Sequence, residues 1–151
     1  MEIKHMRNVA LVTGGFDPLH RGHLAYLEAA YKWGDCLVVG LNSDEWLDRK
    51  KGKHLLDFDD RKAVLDALWM VDDVFAFDDS DGSAKDAIRK CLENFEFANI
   101  VFCNGGDRTY DNIPELQLEG GRVQFEFGVG GEEKLNSSSW ILDRWAKNNG
   151  H

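Results

Sequence analysis

The sequence predicts an α/β fold: a Rossmann-like, doubly wound parallel sheet of five strands with helices on both faces. Two observations carry this prediction. Short apolar runs alternate along the chain with segments whose apolar residues recur at helical spacing. Capping residues stand at the joints between these segments. Alternation of this kind is typical of a parallel sheet covered by helices on both faces.

The elements follow one another in a regular order. The predicted strands span residues 8–13, 36–41, 73–77, 99–102 and 122–127. The predicted helices span residues 22–33, 44–49, 59–69, 84–94 and 138–146. We expect N-caps at Ser43, at Asp57 or Asp59 and at Ser83, and a C-cap at Gly34 after the first helix.

Composition sets the class of protein. The chain has 151 residues and 43% hydrophobic content, which predicts one globular domain over 1–151 with a frayed tail from about residue 147. A formal charge of −9 disfavours a nucleic-acid partner. We find no apolar run long enough for a membrane helix and no secretory signal. Three cysteines without a spacing pattern favour a reducing cytoplasm, so we expect a cytoplasmic protein without nucleic-acid or membrane partners.

The most informative stretch is Gly14-Gly15-Phe16-Asp17-Pro18-Leu19-His20-Arg21-Gly22-His23, which we call the signature loop. It joins the first strand to the first helix, and its glycines permit a tight turn and close approach to a ligand. Two histidines at a helix start, together with unpaired backbone N–H groups, favour phosphate. A metal site on His20 and His23, or a surface pair without function, remains open at this point.

Two further clusters fit a phosphate ligand. Basic residues concentrate in Arg49-Lys50-Lys51-Gly52-Lys53-His54, and three serines, Ser137, Ser138 and Ser139, begin the last helix. In open parallel sheets, ligands bind beyond the carboxyl ends of the strands, where the strand order reverses. We therefore expect four segments to meet there: residues 14–23, 42–53, 103–110 and 128–139. A solvated basic turn is the alternative for the lysines.

The chain resembles the cytidylyltransferase-like nucleotidyltransferases. Residues 15–23 are similar to the family signature Gly-x-Phe-Asp-x-x-His-x-Gly-His, and residues 34–44 are similar to its second strand and following loop. Arg61 falls at the arginine position of the third helix, and residues 136–141 resemble the serine/threonine box before the closing helix. The resemblance is strongest to glycerol-3-phosphate cytidylyltransferases and heptose-1-phosphate adenylyltransferases.

This resemblance implies a reaction and a site. A substrate phosphate attacks the α-phosphorus of CTP or ATP, with Mg²⁺ as cofactor, and the enzyme is expected to be a homodimer. It implies catalytic roles for His20, His23, Lys51 and Lys53, with Lys50 in reserve. It implies nucleotide binding by Gly14, Gly15, Phe16, Asp17, Gly22, Arg61, Gly105, Asp107, Ser137, Ser138 and Ser139.

Several points stay open in the sequence. Asp17 either orders the turn through backbone N–H groups or helps to place Mg²⁺. Asn104 stands where heptose-type relatives carry lysine, Lys134 stands where glycerol-type relatives carry arginine upstream of the serine box, and residues 108–112 are candidates for the acceptor pocket. CTP and ATP are equally favoured. A catalytically inactive nucleotide-binding domain and a metal-binding module are the competing functions.

Overall fold

The structure is a computed structural model that describes residues 7–106, 108–109, 111–131 and 137–148. The strands are β1 (Asn8–Gly14), β2 (Cys36–Leu41), β3 (Asp73–Ala76), β4 (Asn99–Cys103) and β5 (Val123–Glu126). The helices are α1 (Arg21–Tyr31), α2 (Asp44–Lys51), α3 (Phe58–Asp66), α4 (Lys85–Asn94) and α5 (Ser138–Asn148). A 3-10 helix spans Pro114–Leu118.

The five strands form one sheet in the order β3-β2-β1-β4-β5. Every neighbouring pair is parallel, and Val9 on β1 lies opposite Cys36 on β2 and Ile100 on β4. The chain thus builds outward from β1 in one direction and then in the other. The order reverses between β1 and β4, which is where a ligand is expected in such a sheet.

Two cores cover the two faces of the sheet. Alternate side chains of β1 point to opposite faces, so Val9 and Leu11 pack with α4, whereas Ala10 and Val12 pack with α1 and α3. Because both faces are buried, the central strands are almost continuously apolar instead of alternating. This arrangement confirms the predicted α/β fold.

All ten predicted helices and strands are present, with ends shifted by a few residues. The sequence missed the 3-10 helix, which is too short to show a periodic pattern. α5 includes Lys147 and Asn148, which the sequence assigned to a frayed tail. The single-domain prediction stays a prediction.

The expected caps are only partly correct. Ser43 caps α2 through a hydrogen bond from the Trp46 N–H. Asp57 occupies the N-cap of α3 without a side-chain capping bond, and the N-cap of α4 is Ala84, one residue after Ser83. Gly34 is not the C-cap of α1, which is Lys32. A Cβ at Gly34 would lie 2.6 Å from the Ala10 backbone nitrogen, so glycine is needed there for packing against β1.

The described ranges contain no helix with the length and apolar character that a bilayer crossing needs. Cys36, Cys91 and Cys103 are free and buried. Burial raises the pKa of the Cys36 thiol to about 11, and that of Cys91 and Cys103 to about 12. These thiols are therefore core side chains with little thiolate character.

Candidate active site

A cleft of about 640 Å³ opens at the carboxyl ends of the strands. It is bordered by the signature loop, by α2, by the connection between β3 and α4, by Arg108, Asn112 and Glu115 after β4, and by the start of α5. Its lining residues are Thr13, Gly14, Gly15, Phe16, Asp17, His23, Asn42, Trp46, Leu47, Lys50, Lys51, Gly82, Ser83, Ala84, Arg108, Asn112, Glu115, Ser137, Ser138 and Ser139. Segments from five separate parts of the sequence therefore meet where the strand order reverses.

The signature loop turns sharply between β1 and α1. Phe16 has φ = 49°, in the left-handed region that bulky residues rarely adopt. Its buried ring contacts the His23 ring edge-on at a centroid distance of 4.9 Å. A Cβ at Gly15 would lie 2.6 Å from Leu47 Cδ2, so glycine lets α2 approach the loop. The strained turn is thus held by packing on both sides.

The two histidines cap the helix that they begin. His20 Nδ1 accepts a hydrogen bond from the Gly22 N–H at 3.1 Å, and His23 Nδ1 accepts one from the His20 N–H at 3.3 Å. The rings stack at a centroid distance of 3.8 Å. Because each Nδ1 accepts a hydrogen bond, it carries no proton of its own in the neutral ring, and the ring proton is on Nε2. The backbone bonds therefore fix which ring nitrogen can donate to a ligand.

This capping corrects one expectation. The sequence suggested that unpaired backbone N–H groups at the start of α1 would grip phosphate beside the histidines. The N–H groups of His20 and Gly22 are instead taken by the imidazoles. These two backbone N–H groups are therefore not available to a ligand, and the side-chain donor that this helix end offers to the cleft is His23 Nε2–H.

His23 stays uncharged over the physiological range. Burial, reinforced by the neighbouring charges of His20 and Lys51, lowers its pKa from 6.5 to about 3. A neutral ring with its proton on Nε2 is a hydrogen-bond donor to an anion but not a proton donor near pH 7. His23 is therefore an uncharged hydrogen-bond donor whose ring is held in one orientation by its contacts with Phe16 and His20.

The three serines are Ser137 and the first two residues of α5, and this helix start, which we call the serine turn, lines the same cleft as His23. The Ser137 hydroxyl accepts a hydrogen bond from the Trp140 N–H, which starts α5. The Ser138 hydroxyl donates to the Pro18 carbonyl at 3.0 Å and so ties this turn to the signature loop. The two clusters that the sequence predicted to converge on one ligand do share a cleft.

The three lysines of residues 49–54, the segment that we call the basic loop, lie in different environments. Lys51 is partly buried, lines the cleft and donates from Nζ to the Asp17 carbonyl at 2.8 Å. Lys50 also lines the cleft and lies 4.5 Å from the centre of the Trp46 ring. Lys53 is exposed and is not among the lining residues. The geometry thus favours Lys51 over Lys53 for phosphate contact.

Asp17 and Arg61 hold the loops in place. The two carboxylate oxygens of Asp17 accept the N–H groups of Leu55 and Leu56 at 2.6 and 2.8 Å. This bonding matches the ordering role expected for Asp17, although the N–H groups belong to the segment after the lysines and not to the turn itself. The signature loop is thereby bound to the chain that enters α3.

Arg61 is buried, as the sequence suggested, but it points at protein. It donates to the carbonyls of Leu56, Gly15 and Asn42, and to Asp44 Oδ1 at 2.6 Å. It is not among the residues lining the cleft. The structure therefore gives Arg61 a positioning role, and its contact with nucleotide stays a prediction.

His54, at the end of the basic loop, links α2 to the start of α3. Each ring nitrogen of His54 lies 2.8 Å from a carboxylate oxygen, one of Asp48 and one of Asp57. These two hydrogen bonds raise its pKa to about 9. Within the described part of the chain, Asp44, His54 and Asp57 are the potential metal ligands that come together, and this group excludes His20 and His23. A protonated ring bonded on both nitrogens has no lone pair for a metal.

Beyond β4, the cleft includes Arg108 and Asn112, which the sequence named as candidates for the acceptor pocket, and Glu115, which it did not. Arg108 Nη2 donates to Glu115 Oε1 at 2.7 Å, and both residues line the cleft with Asn112. Glu115 lies in the 3-10 helix directly after Pro114, where sequence analysis expects an exposed helix start. No local signal distinguishes it. Trp46, on the cleft side of α2, was missed for the same reason.

The predicted site residues divide into three groups. The first lines the cleft: Gly14, Gly15, Phe16, Asp17, His23, Lys51, Ser137, Ser138 and Ser139. The second lies outside the lining: His20, Gly22, Lys53, Arg61 and Gly105. His20 still contacts His23 directly. Asp107 and Lys134 lie outside the described residues.

Comparisons with known proteins agree with this geometry. Residues 11–130 match the model of the family "Cytidylyltransferase-like". The chain is 34% identical over 146 residues to "Bifunctional protein HldE" of Geobacter sulfurreducens, covering 93% of this chain and 28% of that protein. The chain thus spans little more than a quarter of the length of this curated relative.

Solved structures share the fold. A lipopolysaccharide core biosynthesis protein from Thermoplasma volcanium is 29% identical, with a TM-score of 0.61 over 81% of this chain and 95% of that one. Nicotinic acid mononucleotide adenylyltransferase from Plasmodium falciparum is 16% identical, with a TM-score of 0.52 over 91% and 83%. This second likeness concerns the fold alone. The signature loop, the sheet order and the family match together place this chain in the cytidylyltransferase-like family of nucleotidyltransferases.

Proposed function

We propose that this chain transfers a nucleoside monophosphate from CTP or ATP to a small phosphorylated acceptor, an alditol or sugar phosphate such as glycerol 3-phosphate or heptose 1-phosphate, and releases pyrophosphate. The single observation that carries the proposal is the shared cleft of His23, Lys51 and the serine turn. These groups offer ring N–H, ammonium and hydroxyl donors to one polyanion.

The reaction needs little proton chemistry from the protein. An oxygen of the acceptor phosphate forms a bond to the α-phosphorus, and the bond from that phosphorus to the bridging oxygen of the β-phosphate breaks. The attacking oxygen is already anionic near pH 7, so no general base is required. Catalysis then depends on alignment and on stabilising the charge that develops on the phosphate oxygens.

The residues at the cleft suit that task. His23 donates from Nε2, and His20 holds the His23 ring by stacking. Lys51 contributes a positive charge anchored to the Asp17 carbonyl. Donors fixed before substrate arrives stabilise a transition state without reorganisation, which is the largest electrostatic contribution available to such a site.

Magnesium is part of this proposal as a companion of the nucleotide. Both carboxylate oxygens of Asp17 already accept backbone N–H groups, which favours its positioning role over direct coordination. The donor set that suits Mg²⁺ is then the phosphate oxygens of the nucleotide. Bound there, Mg²⁺ supplies charge neutralisation of the leaving pyrophosphate. The homodimer and the cytoplasmic location implied by the resemblance and the composition stay proposals.

One name among the solved structures supports the acceptor class. The Thermoplasma volcanium protein is described as a lipopolysaccharide core biosynthesis protein, and lipopolysaccharide core is built from sugars. Because the match covers only 28% of the HldE relative, the proposed substrate applies to this chain and not to the activity of that whole protein.

The test is a matrix of the four nucleoside triphosphates with Mg²⁺ against glycerol 3-phosphate, heptose 1-phosphate and other sugar phosphates. Pyrophosphate release is followed together with thermal shift, because a ligand that binds only the native state raises its apparent stability. We expect one nucleotide, CTP or ATP, to give both signals. A nucleotide that shifts the melting temperature without any turnover would instead identify an inactive nucleotide-binding domain.

A further inference from the structure

A buried ion pair beside the cleft is not explained by triphosphate binding. Glu115 is 1% exposed, and its Oε1 accepts from Arg108 at 2.7 Å. Its second oxygen, Oε2, is buried without a hydrogen-bond partner among the described residues. Leaving a buried carboxylate oxygen unsatisfied is costly, so such an oxygen on a residue that lines a cleft indicates a ligand that donates a hydrogen bond.

We propose that Arg108 and Glu115 form the acceptor subsite, with Glu115 Oε2 accepting a hydroxyl of a phosphorylated polyol and Arg108 drawing its phosphate. This inference rests on the proposed function and adds the residues that choose the acceptor. A carboxylate acceptor selects for hydroxyl or amine donors. The adjacent guanidinium selects for an anion, and both together match a sugar or alditol phosphate.

The pair lies on a different wall of the cleft from the histidines. Ile113, between Asn112 and Pro114, packs with the α4 side of the core, and Lys85 of α4 donates to Gln117 of the 3-10 helix at 2.8 Å. Helix α1, which the histidines begin, packs on the opposite face of the sheet. Two substrates that react in one cleft need two sets of contacts. The wall without the histidines is therefore assigned to the acceptor.

The Arg108 side chain can bind a phosphate while it stays bonded to Glu115. Its side chain is 36% exposed, whereas that of Glu115 is 2% exposed. One end of the guanidinium is therefore anchored to a buried carboxylate and the remainder meets the cleft. Such an anchor orients a long side chain that would otherwise sample many rotamers, and it reduces the entropy lost on binding.

The test compares Glu115→Gln and Arg108→Gln with two matched controls, Glu119→Gln and Arg89→Gln. Both control positions are exposed, the first just after the 3-10 helix and the second on α4. Initial rates are measured against acceptor and nucleotide separately, with heptose 1-phosphate, mannose 1-phosphate and glycerol 3-phosphate as polyol probes. Phosphocholine, which has no hydroxyl, is the negative probe.

We expect each site variant to raise KM for the preferred polyol phosphate about tenfold or more, as for loss of a hydrogen bond to a charged group, and to leave KM for the nucleotide within about twofold. The controls should match the wild type. Deoxy analogues of the acceptor should show the same KM in wild type and Glu115→Gln once the contacted hydroxyl is removed, a pattern that a purely structural role would not produce.

Three results would overturn the assignment. A rise in KM for the nucleotide alone would place the pair at the ribose. If the wild type used phosphocholine as well as the polyol phosphates, the acceptor hydroxyls would not be recognised. If the site variants melted at a lower temperature without any change in KM, the role of the pair would be structural.

Failure of the proposed function is separable from failure of this inference. Calorimetry of heptose 1-phosphate binding, with a non-hydrolysable nucleotide analogue present, does not depend on turnover. Weaker binding in Glu115→Gln than in wild type would support the subsite even if no pyrophosphate is released. Absence of polyol-phosphate binding to the wild type would overturn the subsite, even if the nucleotide binds.

Discussion

The two helices that begin at the cleft, α1 and α5, are fixed to the molecule in different ways. Helix α1 buries Leu27 and Ala30, and its first turn is closed by its own histidine rings. Helix α5 has no buried residue among those described, and Ser138 joins its start to the signature loop through the Pro18 carbonyl.

This difference separates a rigid part of the site from an adaptable one. Packing and capping hold the imidazoles in one orientation before any ligand arrives, which is what transition-state stabilisation requires. The described part of α5 buries no side chain, so the serine turn can adjust to the polyanion. We therefore expect substitutions at α1 to act mainly on kcat and those at α5 mainly on KM.

The largest effect is expected at the histidines. His23→Ala or His20→Ala should lower kcat by about a hundredfold or more with a smaller change in KM, because a donor to the transition state is removed. Steady-state kinetics with the best nucleotide and acceptor measure this, and thermal melts check that the variants fold. Near-normal turnover in both variants would contradict the rigid role of α1.

A matched pair of lysines tests the basic loop. Lys51→Ala should reduce kcat/KM by about tenfold or more, since a charged hydrogen-bond donor to phosphate is lost. Lys53→Ala should stay within about twofold because its side chain is exposed outside the cleft. The same kinetic assay applies to both. Equal losses would show that the loop rearranges when nucleotide binds.

Stability against pH contrasts two histidines with opposite shifts. His23 has its pKa lowered to about 3, so its contribution to stability is present above the unfolded value of 6.5 and declines as the pH falls from 6.5 toward 3. His54 has its pKa raised to about 9, so its contribution is present below 6.5 and is lost as the pH rises through 9.

Melting temperatures of wild type, His23→Asn and His54→Gln from pH 4 to pH 10 test this contrast. The wild type should lose stability relative to His23→Asn on acidification. Its advantage over His54→Gln should vanish above about pH 9. Parallel curves for all three proteins would refute both assignments.

The smallest effect is expected at the serine turn. Ser138→Ala removes the hydroxyl that bonds to the Pro18 carbonyl, and we expect KM for the nucleotide to rise about threefold with kcat nearly unchanged, as for loss of one neutral hydrogen bond. Ser80→Ala, at an exposed residue between β3 and α4 that does not line the cleft, is the control. A large fall in kcat would mean that α5 is as much part of the rigid site as α1.

Features encoded by neighbouring residues were predictable. The apolar runs that become β1 and β2, the cap at Ser43 and the Gly-Gly turn before the histidines each depend on a few adjacent positions. Cleft lining by Lys51, His23 and the serine turn could be expected because the carboxyl ends of parallel strands share one edge. The role of Arg61 could not, since its partners are carbonyls that come from three separate segments.

By itself, the sequence determined the order of helices and strands, the α/β class and the position of the motifs predicted to bind phosphate, because period and capping act over a few residues. Only the tertiary structure decided the ring tautomers, the division between Lys51 and Lys53 and the burial of Glu115 at the cleft wall. Those depend on polar groups that meet across long separations, such as Asp17 and Leu55, 38 positions apart. The physical reason is that a buried donor or acceptor must find its partner wherever the fold provides one.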